Sequence, residues 1–232
     1  MAVGSRPLAD SSSLRCLPVM RLAGALLTLA LGVSTAYALD VGLEPYREAR
    51  QTGALGVVAG RVYAEARTAD GQPRPMAGAT VSLVPRSPGL EARLQRLKAE
   101  SRDSPNGFTA AVPAMRKAQE AYERELLEAG VPDLAMRIAV DGEGRFRLDD
   151  VPAGAWLMLA WHSSPVDVSA PKGKPKERRQ YQPQTRLQGY QSVTVWLREI
   201  TVTGAATASL DLTDRNGWFR GVIEERVLDV GR

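Results

Sequence analysis

The sequence predicts a mainly β protein: a seven-stranded antiparallel β-sandwich that carries an inserted α-helical hairpin. Short segments in which apolar and polar residues alternate recur along the chain, with turn residues between them. Between about residues 87 and 130 the apolar spacing changes to that of a helix. The other connections are too short for repeated helical crossovers, so neighbouring strands are expected to run antiparallel.

The first strands are predicted on either side of a turn-rich link. Residues 54–64 are rich in β-branched side chains, and Val58, Gly60 and Val62 fall on one face of that strand. After the link, residues 79–83 alternate again. These two segments predict the first two strands of the sandwich.

The helical hairpin is predicted from its caps and its apolar stripes. Ser87 followed by Pro88 is typical of an N-cap and a first helical residue, and leucines follow at helical spacing. Residues 101–107 read as a loop, and a second helix is expected from about 109 to 129, ended by Gly130. The apolar stripe of this second helix comprises Val112, Met115, Ala118, Tyr122 and Leu126.

Strand patterns return after the hairpin. Phe146 and Leu148 are expected to point into the core, after a tight turn at residues 141–144. The remaining predicted strands cover residues 134–140, 145–148, 155–162, 193–202 and 206–212.

The strand at residues 155–162 is apolar on both faces, which a sandwich strand with one wet face should not be. Trp196 repeats this feature on its own strand. Leaving two tryptophans and two leucines in water would forgo several kcal/mol, at about 25 cal/mol per Å². We expect the helical hairpin to cover that outer face; the alternative is a partner protein. The residues that alternate are Trp156, Met158 and Ala160 on one side and Leu157, Leu159 and Trp161 on the other.

Residues 1–38 are predicted to be a signal peptide. Arg21 precedes an uncharged apolar run, and Ala36-Tyr37-Ala38 has the A-x-A form of a cleavage site after Ala38. The alternative is a membrane-spanning helix, but the apolar run is shorter than the roughly 20 residues that a span needs. Met20 is an alternative start of translation, because a 19-residue polar stretch before the signal is unusual.

Export leaves a chain without thiols and with nearly balanced charge. The one cysteine, Cys16, precedes the apolar run, so thiol nucleophiles and cysteine-ligated metal sites are excluded from the mature chain. Removing residues 1–38 also leaves 27 basic and 25 acidic residues, a net charge of +2, which argues against a nucleic-acid partner. Export without disulfides fits a bacterial periplasm or secretion, with no membrane span after cleavage.

Three motifs resemble the carboxypeptidase regulatory-like domain. They are GRV at residues 60–62, PMAGATVSL at 75–83 and DGEGRFRLDDVPAGAWLM at 141–158. The resemblance implies a transthyretin-like sandwich attached to other proteins as a non-catalytic module. The expected organisation is a signal peptide (1–38), a lead-in (39–53), the sandwich domain (54–212) and a C-terminal tail (213–232). Within the sandwich we expect the helical insertion at about 87–130 and an exposed basic loop at about 163–184.

No residue pattern points to catalysis, a metal or a cofactor. His162 is the single histidine and has no second histidine or cysteine with which to form a transition-metal site. The carboxylate pairs Asp141/Glu143 and Asp149/Asp150 lie at tight turns, where such residues are favoured for conformational reasons; a weak calcium site is the alternative. The chain is therefore not expected to be an enzyme.

We expect instead an exported module that contacts another envelope protein or binds a ligand, with carbohydrate binding or adhesion as the alternative. A basic run could meet an anionic partner, although such runs are usually solvated loops. Tyr181, Tyr190 and Trp218 could stack on sugars, although packing is the commoner role. The candidate contact residues are Lys172, Lys174, Lys176, Arg178, Arg179, Tyr181 and Trp218.

Overall fold

The structure, a computed structural model, describes residues 39–68, 71–166 and 185–228. These residues form nine β-strands and three α-helices. In chain order the elements are α1 (Glu44–Thr52), β1 (Leu55–Ala64), β2 (Arg74–Pro75), β3 (Thr80–Pro85), α2 (Pro88–Glu100), α3 (Pro105–Glu128), a 3-10 turn (Pro132–Leu134), β4 (Met136–Ala139), β5 (Arg145–Pro152), β6 (Gly154–Val166), β7 (Thr185–Val202), β8 (Thr207–Thr213) and β9 (Phe219–Leu228).

The strands form two sheets, which confirms the predicted β-sandwich. The larger sheet has the order β4-β3-β6-β7-β9, and in the smaller sheet β1 pairs with β2, β5 and β8. Among the described strands every pairing is antiparallel except that of β1 with β8, which is parallel. Nine strands replace the seven expected, because the two-residue β2 and the C-terminal β9 were not predicted.

The core between the sheets contains the side chains that the alternation predicted to point inward. Val58 and Val62 pair across the smaller sheet with Leu148 and Leu212, and all four are buried. From the larger sheet come the fully buried Trp156, Met158, Ala160 and Leu83. A single apolar layer therefore joins the sheets.

The hairpin formed by α2 and α3 covers the outer face of the larger sheet, so the intramolecular cover is the one found. The predicted stripe of α3 is buried throughout. Its Tyr122 hydroxyl donates to the Pro85 carbonyl at 3.1 Å, and Phe108 packs against Phe219 of β9 with ring centroids 6.4 Å apart. Leu157, Leu159 and Trp161 are buried beneath this layer.

Trp196 points the other way from the expectation. It pairs with Ala160, so it shares the face that meets the smaller sheet. Its indole nitrogen donates to the Thr213 carbonyl at 2.8 Å and to the Asn216 side chain at 3.1 Å. Of the two tryptophans expected on the outer face of the larger sheet, Trp161 lies there beneath the hairpin. Trp196 belongs to the core between the sheets.

Both long helices begin with a serine cap followed by proline. The Ser87 hydroxyl accepts the Leu90 N–H at 2.9 Å, as predicted, and the Ser104 hydroxyl accepts the Gly107 N–H at 2.9 Å. Helix α3 therefore starts at Pro105, four residues before the predicted start. The Ser104-Pro105 signal is the same as Ser87-Pro88 but was assigned to the loop.

Three segments that were expected to be irregular contain regular secondary structure. The lead-in contains α1, whose Tyr46 packs edge-on against Trp156 with ring centroids 5.1 Å apart. The expected C-terminal tail contains β9, which extends the larger sheet by pairing with β7. The first four residues of the expected basic loop are still strand β6, because they pair with β7 as far as Val166 and Tyr190.

Residues 1–38, which include the predicted signal peptide, and residues 167–184, which include most of the basic loop, lie outside the described residues. Among the described helices, none combines the length and the hydropathy that crossing a bilayer requires.

Candidate functional site: a cleft at the end of the sandwich

Strands β6 and β7 continue past the end of the smaller sheet. In β6 the residues from Trp156 to Trp161 are buried on both faces, whereas those from His162 to Val166 are partly or fully exposed. The smaller-sheet strands β1 and β8 stop at Ala64 and Thr213. The inner face of the larger sheet therefore loses its partner layer near His162, and its side chains change from apolar to polar. We call the part beyond this point, residues 162–166, 190–194 and 220–224, the overhang.

The strand register lines up polar side chains across the overhang. His162 of β6 lies opposite Thr194 of β7, which lies opposite Arg220 of β9. Directly opposed residues of antiparallel strands share a face, and alternate residues of one strand do as well. His162 therefore faces the same side as Ala160, toward the space between the sheets. The next rows on this face are Ser164, Ser192 and Val222, and then Val166, Tyr190 and Glu224.

The overhang forms one wall of a cleft of about 830 Å³. The opposite wall is formed by residues 64–67 and 71–77, which include Glu65, Arg67 and Arg74. Asp214 closes one side. The volume of the cleft lies within the range of about 300–1,000 Å³ that is typical of small-molecule sites.

The charged side chains of the cleft are unequally compensated. Asp214 accepts the Glu65 N–H at 2.8 Å, and the Glu65 carboxylate pairs with Arg215 at 3.2 Å. The guanidinium of Arg220 donates to the main-chain carbonyl of Asp214 rather than to a carboxylate. Arg74 makes no ion pair with any residue that the structure describes. The cleft therefore has an excess of positive charge.

The imidazole of His162 is partly buried in the cleft, close to Arg74. Partial burial, together with the nearby charge of Arg74, holds the pKa of its imidazole below the ordinary 6.5. No hydrogen bond joins the imidazole to a carboxylate within the described ranges, so the acid–base pair of a nucleophilic site is not formed there. A neutral imidazole supplies one donor and one acceptor to a ligand.

The first predicted carboxylate pair is used by its turn, whereas Asp149 and Asp150 lie inside strand β5 and not at the expected turn. One Asp141 oxygen accepts the N–H groups of Glu143 at 3.0 Å and Arg145 at 2.6 Å. The Asp149 carboxylate accepts from Arg147 at 2.8 Å. Gly144 takes a positive φ of 79°, which permits the tight turn at residues 141–144. Within residues 39–68, 71–166 and 185–228, no group of three or more His, Cys, Asp or Glu side chains is placed to hold a metal ion.

Six of the seven predicted contact residues, Lys172 to Tyr181, lie outside the described residues. The seventh, Trp218, is half-buried and lies apart from the cleft, in a groove of about 520 Å³ that Pro88, Leu197 and Glu199 also line. The Lys98 ammonium lies 4.6 Å from the centroid of its ring. One face of Trp218 therefore already has a cationic partner.

Among the residues that line the cleft, the sequence singled out His162 alone; Tyr190 lies in a neighbouring row of the overhang. The signal that was available is the abrupt change in β6 from WLMLAW to HSSPV, which was assigned to the start of a loop. Arg74 and Arg220 come from distant strands, and only the fold brings them beside His162.

No protein-family model matches the chain, and no curated protein matches it. The resemblance to the carboxypeptidase regulatory-like domain therefore rests on the sequence motifs alone.

Distant likenesses exist among solved structures. A proposed carbohydrate-binding protein of Pseudomonas aeruginosa is 16% identical with a TM-score of 0.43, over 75% of this chain and 97% of that one. The minor pilin of Streptococcus agalactiae is 9% identical with a TM-score of 0.28, over 77% of this chain and 48% of that one. The shaft pilin of Lactobacillus rhamnosus GG is 11% identical with a TM-score of 0.26, over 74% and 51%. At these values the likenesses carry no information about what this chain binds.

Proposed function

We propose that the chain is an exported, non-catalytic β-sandwich module of the bacterial cell envelope that binds a ligand in the overhang cleft. The observation that carries the proposal is the polar inner face of the overhang. The rest of the space between the sheets is filled with apolar side chains, whereas His162, Thr194 and Arg220 face an open volume of about 830 Å³. Polar groups that converge on a concavity are the usual feature of a binding site.

The chemistry of the cleft supports binding without turnover. The Glu65 and Asp214 carboxylates are both engaged, and neither hydrogen-bonds to His162. Hydroxyl groups and arginines supply hydrogen bonds and charge but no evident nucleophile–base pair.

Export and family membership belong to the same proposal. The sequence motifs support a carboxypeptidase regulatory-like domain, and the signal-like residues 20–38 support a periplasmic or secreted protein. The expected partner is another envelope protein or a polysaccharide. The polysaccharide, which makes the chain a carbohydrate-binding or adhesive module, is favoured by the row of hydroxyls that ends at Tyr190.

Amide chemical-shift mapping tests the proposal. The full chain, produced with an exporting host and isotopically labelled, is titrated with soluble polysaccharides, both neutral and acidic, and with cell-wall peptides. We expect shifts confined to the overhang, residues 162–166, 190–194 and 220–224, and to the opposite wall at residues 64–67 and 74–77, with the ligand signals unchanged over time. Shifts confined to the outer face of the hairpin, or no shift with any of these probes, would contradict a binding cleft. Loss of ligand signal with new product signals would contradict a non-catalytic role.

A further inference from the structure

We infer that the overhang cleft selects an acidic saccharide, a sugar chain that carries carboxylate, sulfate or phosphate groups. This inference rests on the proposed function and names its ligand class. It follows from a juxtaposition in the fold: arginines from both walls flank rows of hydroxyl groups on the inner face of β6 and β7.

The arginines supply the selectivity for negative charge. Three of them, Arg67, Arg74 and Arg220, line the cleft against two carboxylates. One of those carboxylates, that of Glu65, is already paired with Arg215 outside the lining set. A further carboxylate, that of Glu224 in the last row of the overhang, is paired with Arg226 at 2.7 Å. An uncompensated guanidinium offers paired N–H donors that match a carboxylate, sulfate or phosphate, and it retains its charge at any physiological pH. The cleft therefore favours anions over neutral ligands.

The hydroxyl rows supply recognition of a sugar. Ser164 lies opposite Ser192, one row beyond Thr194 and His162, so four hydrogen-bonding side chains follow one another along two strands. Each serine or threonine hydroxyl both donates and accepts, which matches the hydroxyls of a sugar ring. Tyr190 stands in the following row and is only partly covered, so its ring is available for stacking.

The length of the polar rows in the overhang favours a saccharide chain over a small inorganic anion as the ligand. The rows extend along the strands for three residue pairs, from His162/Thr194 to Val166/Tyr190, which is about 13 Å at 3.3 Å per residue. A single inorganic anion would use only the end where Arg220 and His162 lie. A saccharide with charged groups would use that end and the hydroxyl rows together.

Calorimetry with matched polymers tests the inference on the intact exported chain. The pairs are polygalacturonate against its methyl ester, and dextran sulfate against dextran. We expect at least one acidic polymer to bind about tenfold more tightly than its neutral counterpart, and added salt to reduce that difference. Preference for the acidic member of either pair, or of both pairs, supports the inference; equal binding, or no binding, of the acidic and neutral members in both pairs overturns it.

Arginine variants locate the effect. Arg74→Ala and Arg220→Ala should each weaken binding of the acidic polymer about tenfold and leave any binding of the neutral polymer unchanged. Arg47→Ala, on α1 with its partner Glu44, is the matched control and should change nothing. Unchanged affinity in Arg74→Ala overturns the inference even if Arg220→Ala folds poorly. If only neutral polymers shift the amide resonances of the cleft, the cleft is a binding site but its ligand class is not acidic. If no polymer or peptide shifts them, both the proposed function and this inference are wrong.

Discussion

The indole nitrogen of Trp161 donates a 2.8 Å hydrogen bond to the side-chain oxygen of Gln119, which joins the larger sheet to helix α3. Both residues are buried. The Gln119 amide nitrogen donates to Glu123 at 2.7 Å, and Glu123 in turn accepts from Arg137 at 2.8 Å. Arg137 completes the chain by donating to the Ser82 hydroxyl at 3.2 Å. A polar side chain is thus tolerated in the buried stripe of α3 because each of its groups is bonded.

Removing the Gln119 side chain, which accepts the Trp161 hydrogen bond, should destabilise the fold. In Gln119→Ala the Trp161 N–H is left buried without an acceptor, and we expect the free energy of unfolding to fall by about 1–3 kcal/mol. Urea unfolding followed by tryptophan fluorescence measures the change. Gln95→Ala, at an exposed position on α2, is the control and should stay within about 0.5 kcal/mol of the parent. Equal stability of both variants would show that the bond contributes nothing.

Close contact between α3 and β9 gives a second test of the cover. A Cβ on Gly221 would lie 2.5 Å from a Val112 methyl, closer than packed carbon atoms allow. Gly221→Ala should therefore cost about 1–3 kcal/mol, through displacement of the hairpin. The double variant with Val112→Ala should lose less stability than the sum of the two single losses, because the two changes act on the same contact. Gly142→Ala, in open space at a turn, is the matched control. Additive losses in the double variant would place the hairpin elsewhere.

The single histidine reports on the cleft. The pKa of His162 is lowered first by burial and then by Arg74, so its proton resonance should titrate with a midpoint below 6.5. Because the unfolded chain then binds the proton more tightly, stability should decline as the pH falls from about 6.5 through the folded-state pKa. That decline should be absent in His162→Gln. Arg74→Ala should move the midpoint upward; a midpoint at or above 6.5 in the parent would contradict the buried, arginine-facing position.

Export predicts a defined processing site. Production in an exporting bacterium should yield a mature chain that begins at Leu39, as read by intact-mass spectrometry. Ala36→Arg should block processing, because the A-x-A site needs small residues at its two outer positions. Tyr37→Arg, at the unrestricted middle position, should be processed normally. A parent chain that retains residues 20–38 after export would contradict the assignment.

The spacing of apolar residues in the sequence predicted which faces of the helices and strands are buried. The stripe of α3 and the two apolar faces around Leu159 followed from the sequence because helices and strands expose fixed spacings to the core. Helix α1 was missed because its one large buried side chain, Tyr46, packs on Trp156, a contact distant in sequence. Strand β9 was missed because Gly221 and several charged residues interrupt its alternation.

The cleft could not be predicted because it depends on register and on where the strands stop. The direction of Trp196 was likewise set by its pairing with Ala160 rather than by local pattern. Arg74, His162 and Arg220 converge only because β2, β6 and β9 meet at one end of the sandwich. Single-strand patterns contain no information about such neighbours.

Blocking the overhang with a thiol-linked group tests the binding cleft most directly. The processed chain has no cysteine, so Ser192→Cys places one reactive group on the inner face of β7, and Ser209→Cys places one on the exposed face of β8. Each variant is labelled with a bulky maleimide and titrated with polygalacturonate and with dextran sulfate. The predicted result is binding abolished by the label at position 192 and unchanged by the label at 209. Polymer binding that survives the label at 192, or that is missing from the unlabelled parent, would contradict the account.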